Sequence, residues 1–301
     1  MKLKWPFRKL GQSGPGNGEA LVRKPVSPAA IGIQDLPAGA ADRVEKERTG
    51  WVSPSYTQSR TARLNPGFIA DQRCVGFLPN APELEFYRVL RTKILHRMGK
   101  GGNTLMVTSA LPGEGKTLTA INLSLTMAKE FERTVLLVDC DLKQHGIQRA
   151  LGIQGQKGLA DYLLNGCPLR EAIVWPGVEK MTVISGERTV EGASELLGSP
   201  KMKELVTEMK TRYPDRLVIF DVPPVLAAAD ALVFAPFVDY VLLVVRAGKT
   251  PVHDIQKAIQ MLPREKIVGT VLNRCEVGST SYYYYSQYYS QNLPSPPDPE
   301  S

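Results

Sequence analysis

Residues 79–276 of this 301-residue chain predict a three-layer α/β fold, a mostly parallel sheet with helices on both faces. Three observations carry that expectation. Six short runs, 104–108, 134–138, 181–184, 217–220, 240–245 and 267–272, are almost continuously apolar, as strands covered on both faces must be. Segments with helical spacing, 118–129, 195–210 and 253–262, alternate with them, the order that builds a parallel sheet through crossover helices. A glycine-rich loop, ALPGEGKT, lies between the first run and the first helical segment.

The flanks differ from this core. Residues 1–78 contain frequent Pro and Gly, from Pro15-Gly16 to Pro66-Gly67, without sustained apolar periodicity, and are expected to form a flexible basic region. Residues 277–301 form a tyrosine-rich and then proline-rich tail. With 43% hydrophobic and 22% charged residues, the chain as a whole has an ordinary globular composition. Its net charge of +7 sits almost entirely upstream, since residues 1–75 hold twelve Lys/Arg against six Asp/Glu. The folded part is therefore near neutral, which argues against a nucleic-acid-binding face. The first ten residues interleave Lys2, Lys4, Arg8 and Lys9 with Trp5 and Phe7, a pattern read first as a solvated basic end and second as a contact for an anionic surface. Cys74, Cys140, Cys167 and Cys275 form no C-x-x-C pair, and His96, His145 and His253 have no metal-ligand spacing, so neither a zinc site nor a disulfide framework is expected. No apolar stretch approaches the roughly 20 residues that span a bilayer. A reducing cytoplasm fits best, and any membrane association is expected to be peripheral or through a partner.

Chemistry concentrates at three places. A nucleotide phosphate needs inward backbone N–H groups, a mobile cation and a hydroxyl for magnesium. Residues 110–117 offer all three: Gly113 and Gly115 permit close backbone approach, Lys116 supplies the cation, and Thr117 opens the helix with a hydroxyl. Two carboxylate motifs end other predicted strands, where ligands bind in such sheets: VDCDLK, with Asp139 and Asp141, and IFDVPP, with Asp221. Alone, each reads equally well as a helix cap or surface turn. Beside the phosphate loop, Asp221 is expected to hold the magnesium shell, with Asp139 and Asp141 facing the γ-phosphate. Glu85, Arg88 and Arg91 recur every three residues and would share one helical face.

ALPGEGKT, VDCDLK and IFDVPP, with EFYRVLR upstream and a tyrosine cluster downstream, together resemble the bacterial tyrosine kinases (BY-kinases) of capsule and exopolysaccharide export. The resemblance spans about residues 80–290, and its specificity lies in the combination. It implies a P-loop NTPase domain of MinD/ParA type, with ATP and Mg2+ as cofactors. Pro112, Gly113, Glu114, Gly115, Lys116, Thr117, Leu118 and Asn273 would contact the nucleotide. Lys116, Asp139 and Asp141 would be catalytic, with Asp139 the base, and Thr117, Asp139 and Asp221 would serve the metal. Tyr282, Tyr283, Tyr284, Tyr285, Tyr288 and Tyr289 would be phosphoacceptors, and Glu85, Arg88 and Arg91 would close a homo-oligomeric ring. The implied partners are a membrane-embedded polysaccharide chain-length protein, as activator, and a cognate tyrosine phosphatase, which places the kinase at the inner face of the plasma membrane. One departure stands out: Lys143 occupies a position where the family commonly has Arg. The rival readings are a MinD/ParA-type ATPase switch and a nucleotide-sensing adaptor without kinase activity. Leu111 counts against the switch, since such ATPases usually carry a second Lys there.

Overall fold

The computed structural model describes residues 2–4 and 60–275, with breaks at 63, 79–80, 82, 100, 131, 154–156 and 214. The tyrosine cluster and most of the basic N-terminal region lie outside the described residues. The strands in chain order are β1 (Lys2–Lys4), β2 (Arg60–Thr61), β3 (Thr104–Ser109), β4 (Thr134–Asp139), β5 (Ile173–Trp175), β6 (Met181–Ile184), β7 (Arg216–Asp221), β8 (Tyr240–Arg246) and β9 (Ile267–Cys275). They form one sheet in the order β1-β9-β8-β3-β7-β4-β6-β5-β2. Every neighbouring pair is parallel except β5 with β6.

Period-two alternation along each central strand builds the three layers. Leu105, Val107, Val135, Leu137, Leu217, Ile219, Leu242 and Val244 enter one core. Met106, Leu136, Val138, Val218, Phe220, Val241, Leu243 and Val245 enter the other. Both faces are therefore dry, and burying each such side chain contributes about 1.5–3 kcal/mol. That is why the strands read as unbroken apolar runs.

On the first face, α1 (Pro66–Asp71) and α2 (Leu84–Met98) precede α3 (Lys116–Met127). Residues 119–127 of α3 are all buried, because the sheet lies beneath them and α2 packs above. Continuing the chain are α4 (Gly146–Leu151), α5 (Leu159–Asn165), α6 (Leu169–Ala172), α7 (Ala193–Leu197), α8 (Pro200–Arg212), α9 (Asp230–Phe234) and α10 (Val252–Met261).

Two expectations need correction. The first is the boundary at residue 78, because the packed structure already includes Ile69, Cys74 and Val75 in the core. Pro66 does not break structure here; it occupies the first turn of α1, where a missing N–H costs nothing, and Asn65 caps it by accepting from Phe68 N at 3.1 Å. The turn that follows is stapled to α3. Asn122 Oδ1 accepts from Gly76 N at 3.0 Å and its amide donates to Arg73 O at 3.1 Å. The second correction is that 195–210 is two helices. Gly198 ends α7, and Ser199 starts α8 by accepting from Met202 N at 3.2 Å, with Pro200 in the first turn.

Candidate phosphate-binding site

β3 lies between β8 and β7, and the chain leaves it toward β4 on one side but returns through β7 to reach β8 on the other. Ligands bind at such a switch in strand order, outside the carboxyl ends of the strands. The glycine-rich loop joins β3 to α3 at that place. Gly113 and Gly115 adopt φ of +76° and +95°, a left-handed backbone that glycine alone enters freely. At Gly115 a side chain would also strike the Asn273 amide. Pro112 and Gly113 are exposed at the tip, whereas Leu118 turns inward and packs on the first core.

Register brings the acids together. Asp139 of β4 is the direct partner of Asp221 of β7, on adjacent parallel strands, so both side chains leave the same face. The Thr117 hydroxyl donates to Asp221 Oδ2 at 2.6 Å. The Lys116 ammonium lies 2.8 Å from Asp141 Oδ2 and 3.3 Å from Asp221 Oδ1. Asp139 is oriented by the backbone: Oδ1 accepts from Asp141 N at 3.0 Å and Oδ2 from Ile147 N at 3.1 Å. Lys116, Thr117, Asp139, Asp141 and Asp221 thus lie together at the carboxyl ends of the strands.

The electrostatics follow from burial and from too many acids. Three carboxylates face one ammonium inside the protein. Burial, reinforced by the neighbouring Asp221, pushes Asp139 up to about 8. Asp221 is also raised, by burial first, although Lys116 and Thr117 oppose the shift. Burial would lower Lys116, but Asp221 and Asp141 outweigh it and hold the ammonium above its ordinary value. A site in this condition favours an added cation.

Glu114, expected to contact the nucleotide, braces the loop. Its buried carboxylate accepts from Leu111 N at 2.7 Å, from Arg246 N at 3.3 Å and from the Thr250 hydroxyl. Asn273 works on the same residue, its amide donating to Glu114 O at 2.8 Å while Oδ1 accepts from Arg274 N at 2.9 Å. Leu111 itself packs against the second core.

On α2, Arg88 pairs with Glu85 at 3.1 Å. Arg91 turns inward instead, to Glu130 at 2.7 Å and to Thr126 O at 3.0 Å near the end of α3. A shallow groove of about 560 Å³ lies along this face, lined by Glu85, Arg88, Val89, Arg91, Thr92 and Lys93.

Known proteins resemble this chain in sequence and fold. Residues 103–268 match the profile of a family described as AAA domain. Tyrosine-protein kinase YwqD of Bacillus subtilis is 33% identical over 210 residues, covering 69% of this chain and 87% of that protein. The chain belongs to the bacterial tyrosine kinase family. Tyrosine-protein kinase Etk of Escherichia coli is 32% identical over 68% of this chain, but this match spans only 28% of that longer protein. The solved kinase domain of Etk superposes with a TM-score of 0.64 at 28% identity, over 76% of this chain and 90% of that one. MinD of Pyrococcus horikoshii, solved with Mg-ADP, shares the fold alone, at a TM-score of 0.50 and 22% identity. The glycine-rich loop is thus the P-loop of a nucleotide-binding fold. Among the described residues, no helix is long and apolar enough to cross a membrane.

Proposed function

We propose that this chain transfers the γ-phosphate of ATP to tyrosine hydroxyls of its own C-terminal cluster, on a neighbouring copy, and thereby regulates exopolysaccharide or capsule polymerisation and export. The observation that supports it most is the convergence of Lys116, Thr117, Asp139, Asp141 and Asp221 at the strand ends. The tyrosine cluster follows soon after β9, whose Asn273 touches the phosphate loop.

Lys116 leaves its carboxylates to hold phosphate oxygens, for which an ammonium has three donors. The excess of buried carboxylate fits a divalent cation. Mg2+ needs few protein ligands, because it keeps several waters and takes phosphate oxygens. Thr117 and Asp221 would hold it, with Asp139 alongside, and it would neutralise charge on the transferring phosphate. Asp139 is the base for the attacking hydroxyl; the backbone bonds from Asp141 and Ile147 fix its plane and leave each oxygen a free lone pair. Phosphoryl transfer depends on positioning and charge neutralisation, so an unanchored tyrosine reacts slowly and an activating partner is implied.

Glu85, Arg88 and the groove beside them provide the surface for a neighbouring copy in a ring, and Arg91 shapes it from within. Each phosphate adds about −1.5 to −2 charges, so several on one tail repel each other and loosen the ring. Light scattering of tail-phosphorylated protein should report a smaller species than the unmodified one. The partners are a membrane-embedded chain-length protein as activator and a cognate tyrosine phosphatase, and the place of action is the inner face of the plasma membrane.

Labelled ATP with magnesium tests the activity on three proteins: wild type, Lys116→Met, and a chain ending at Cys275. Label on the wild type alone supports the proposal. Label that survives removal of the tail contradicts the acceptor assignment, and an unlabelled wild type contradicts the kinase reading.

A further inference from the structure

The turn 142–145, between Asp141 and α4, connects the two carboxylates of the second acidic motif to the helix that orients Asp139. Asp141 folds it, its Oδ1 accepting from Gln144 N at 3.1 Å and its carbonyl from His145 N at 3.0 Å. One side chain leaves this turn for another part of the site: Lys143 Nζ lies 3.3 Å from Asp230 Oδ2. The two residues differ sharply in setting, the Lys143 side chain being 47% exposed and that of Asp230 only 1%. Asp230 opens α9, at the end of the loop that leaves β7. That loop is tied to the phosphate loop, with Val225 N donating to Ser109 O at 2.8 Å and Leu226 N to Ala110 O at 3.2 Å.

Asp230 is thus anchored to one half of the site and Lys143 belongs to the other. Asp230 Oδ1, moreover, is buried without a hydrogen-bond partner. A single ammonium reaches one carboxylate oxygen and leaves the other bare, whereas a planar guanidinium would reach both. Removing one partner from a buried carboxylate pair is costly, so this contact holds its two ends together.

We propose that Lys143 and Asp230 form a positioning strut, which sets the turn 142–145, and through it Asp141 and Asp139, against the phosphate loop. Lys143 touches neither nucleotide nor acceptor; it acts through the two aspartates. This role rests on the kinase reading above, but the strut itself can be tested apart from catalysis.

The test uses the full chain as wild type, Lys143→Met, Lys143→Arg and the double variant Lys143→Met with Asp230→Asn. Two quantities are followed: amide hydrogen exchange at Gln144 and His145, and the rate of phosphate transfer from ATP. Lys143→Met should speed exchange at those amides about tenfold or more, as the turn opens locally. It should also lower kcat about tenfold, with the KM for ATP within about twofold, because misplaced groups slow chemistry more than binding. Lys143→Arg should restore both. The double variant removes the unpaired buried charge, so its thermal midpoint should recover while exchange and kcat stay impaired. Wild-type exchange and kcat in Lys143→Met would overturn the strut, as would a double variant whose kcat recovers with its midpoint. A wild type that transfers no phosphate, but whose exchange follows this pattern, would keep the strut and overturn the kinase reading instead.

Discussion

The two sides of the phosphate site are held in opposite ways. The loop side is locked by Glu114, a buried carboxylate with three donors, and by Asn273, whose amide group is used at both ends. On the acid side Asp139 ends β4 and Asp141 folds the turn that follows; a half-exposed lysine ties that turn to Asp230, and an oxygen of Asp230 and Nδ1 of His145 have no protein partner. Buried networks with every group satisfied are rigid, and partly satisfied ones adjust. The comparison teaches that the loop half is braced at each of its polar groups, while the acid half keeps buried polar atoms without a protein partner.

Substitutions should separate these halves, beginning with the residue they share. Lys116→Met removes the cation that both sides face and should lower phosphate transfer by about 100-fold or more, measured with labelled ATP. Next in size is Glu114→Ala on the locked side, which leaves the partly buried N–H groups of Leu111 and Arg246 without their acceptor. A loss of about 2–4 kcal/mol in unfolding free energy is expected, together with weaker binding of a fluorescent ATP analogue. Lys143→Met on the acid side leaves the buried Asp230 carboxylate without its cation and should cost about 1–3 kcal/mol in urea unfolding, most of it returned by Asp230→Asn in the same chain. If the second substitution returned none of the loss, the contrast between the halves would fail.

The smallest effect lies far from both, at Asp239. Its carboxylate takes bonds from Asn103 N, Thr104 N and the Thr104 hydroxyl and pairs with Lys210 at 2.7 Å. Burial works to raise it, but Lys210 and Thr104 prevail and hold it below the usual carboxylate range. The folded state therefore binds this proton less readily than the unfolded chain. Its stabilisation is complete above the ordinary carboxylate value of about 3.9 and fades as pH falls through the lower folded value. Urea unfolding between about pH 5 and 3 should show wild type losing stability more steeply than Asp239→Asn, by about 1 kcal/mol once solvent screening is allowed for. Parallel pH profiles would contradict this.

Sequence reading succeeded where the signal is local. Apolar runs named the six central strands, and the acids that end β4 and β7 needed only those strands to be placed. Pro66 misled because a proline that opens a helix and one that breaks a chain look alike until Asn65 is seen to cap. The same ambiguity hid the break at Ser199-Pro200. The brace by Glu114 and the strut from Lys143 stayed hidden for a different reason. Leu111 apart, their partners lie 132, 136 and 87 positions away, where no spacing rule reaches. Position among the loop glycines gave Glu114 a place, but only its buried partners give it a task.

Transfer between copies tests the central claim most directly. A full-length Lys116→Met chain, unable to transfer but carrying its tyrosines, would be mixed with an active chain ending at Cys275, which can transfer but has no tail. With labelled ATP and magnesium present, the account predicts tyrosine label on the Lys116→Met chain, and none on either protein incubated alone. An unlabelled mixture, beside a wild type that labels itself, would contradict delivery of one chain's tyrosines to its neighbour's phosphate site.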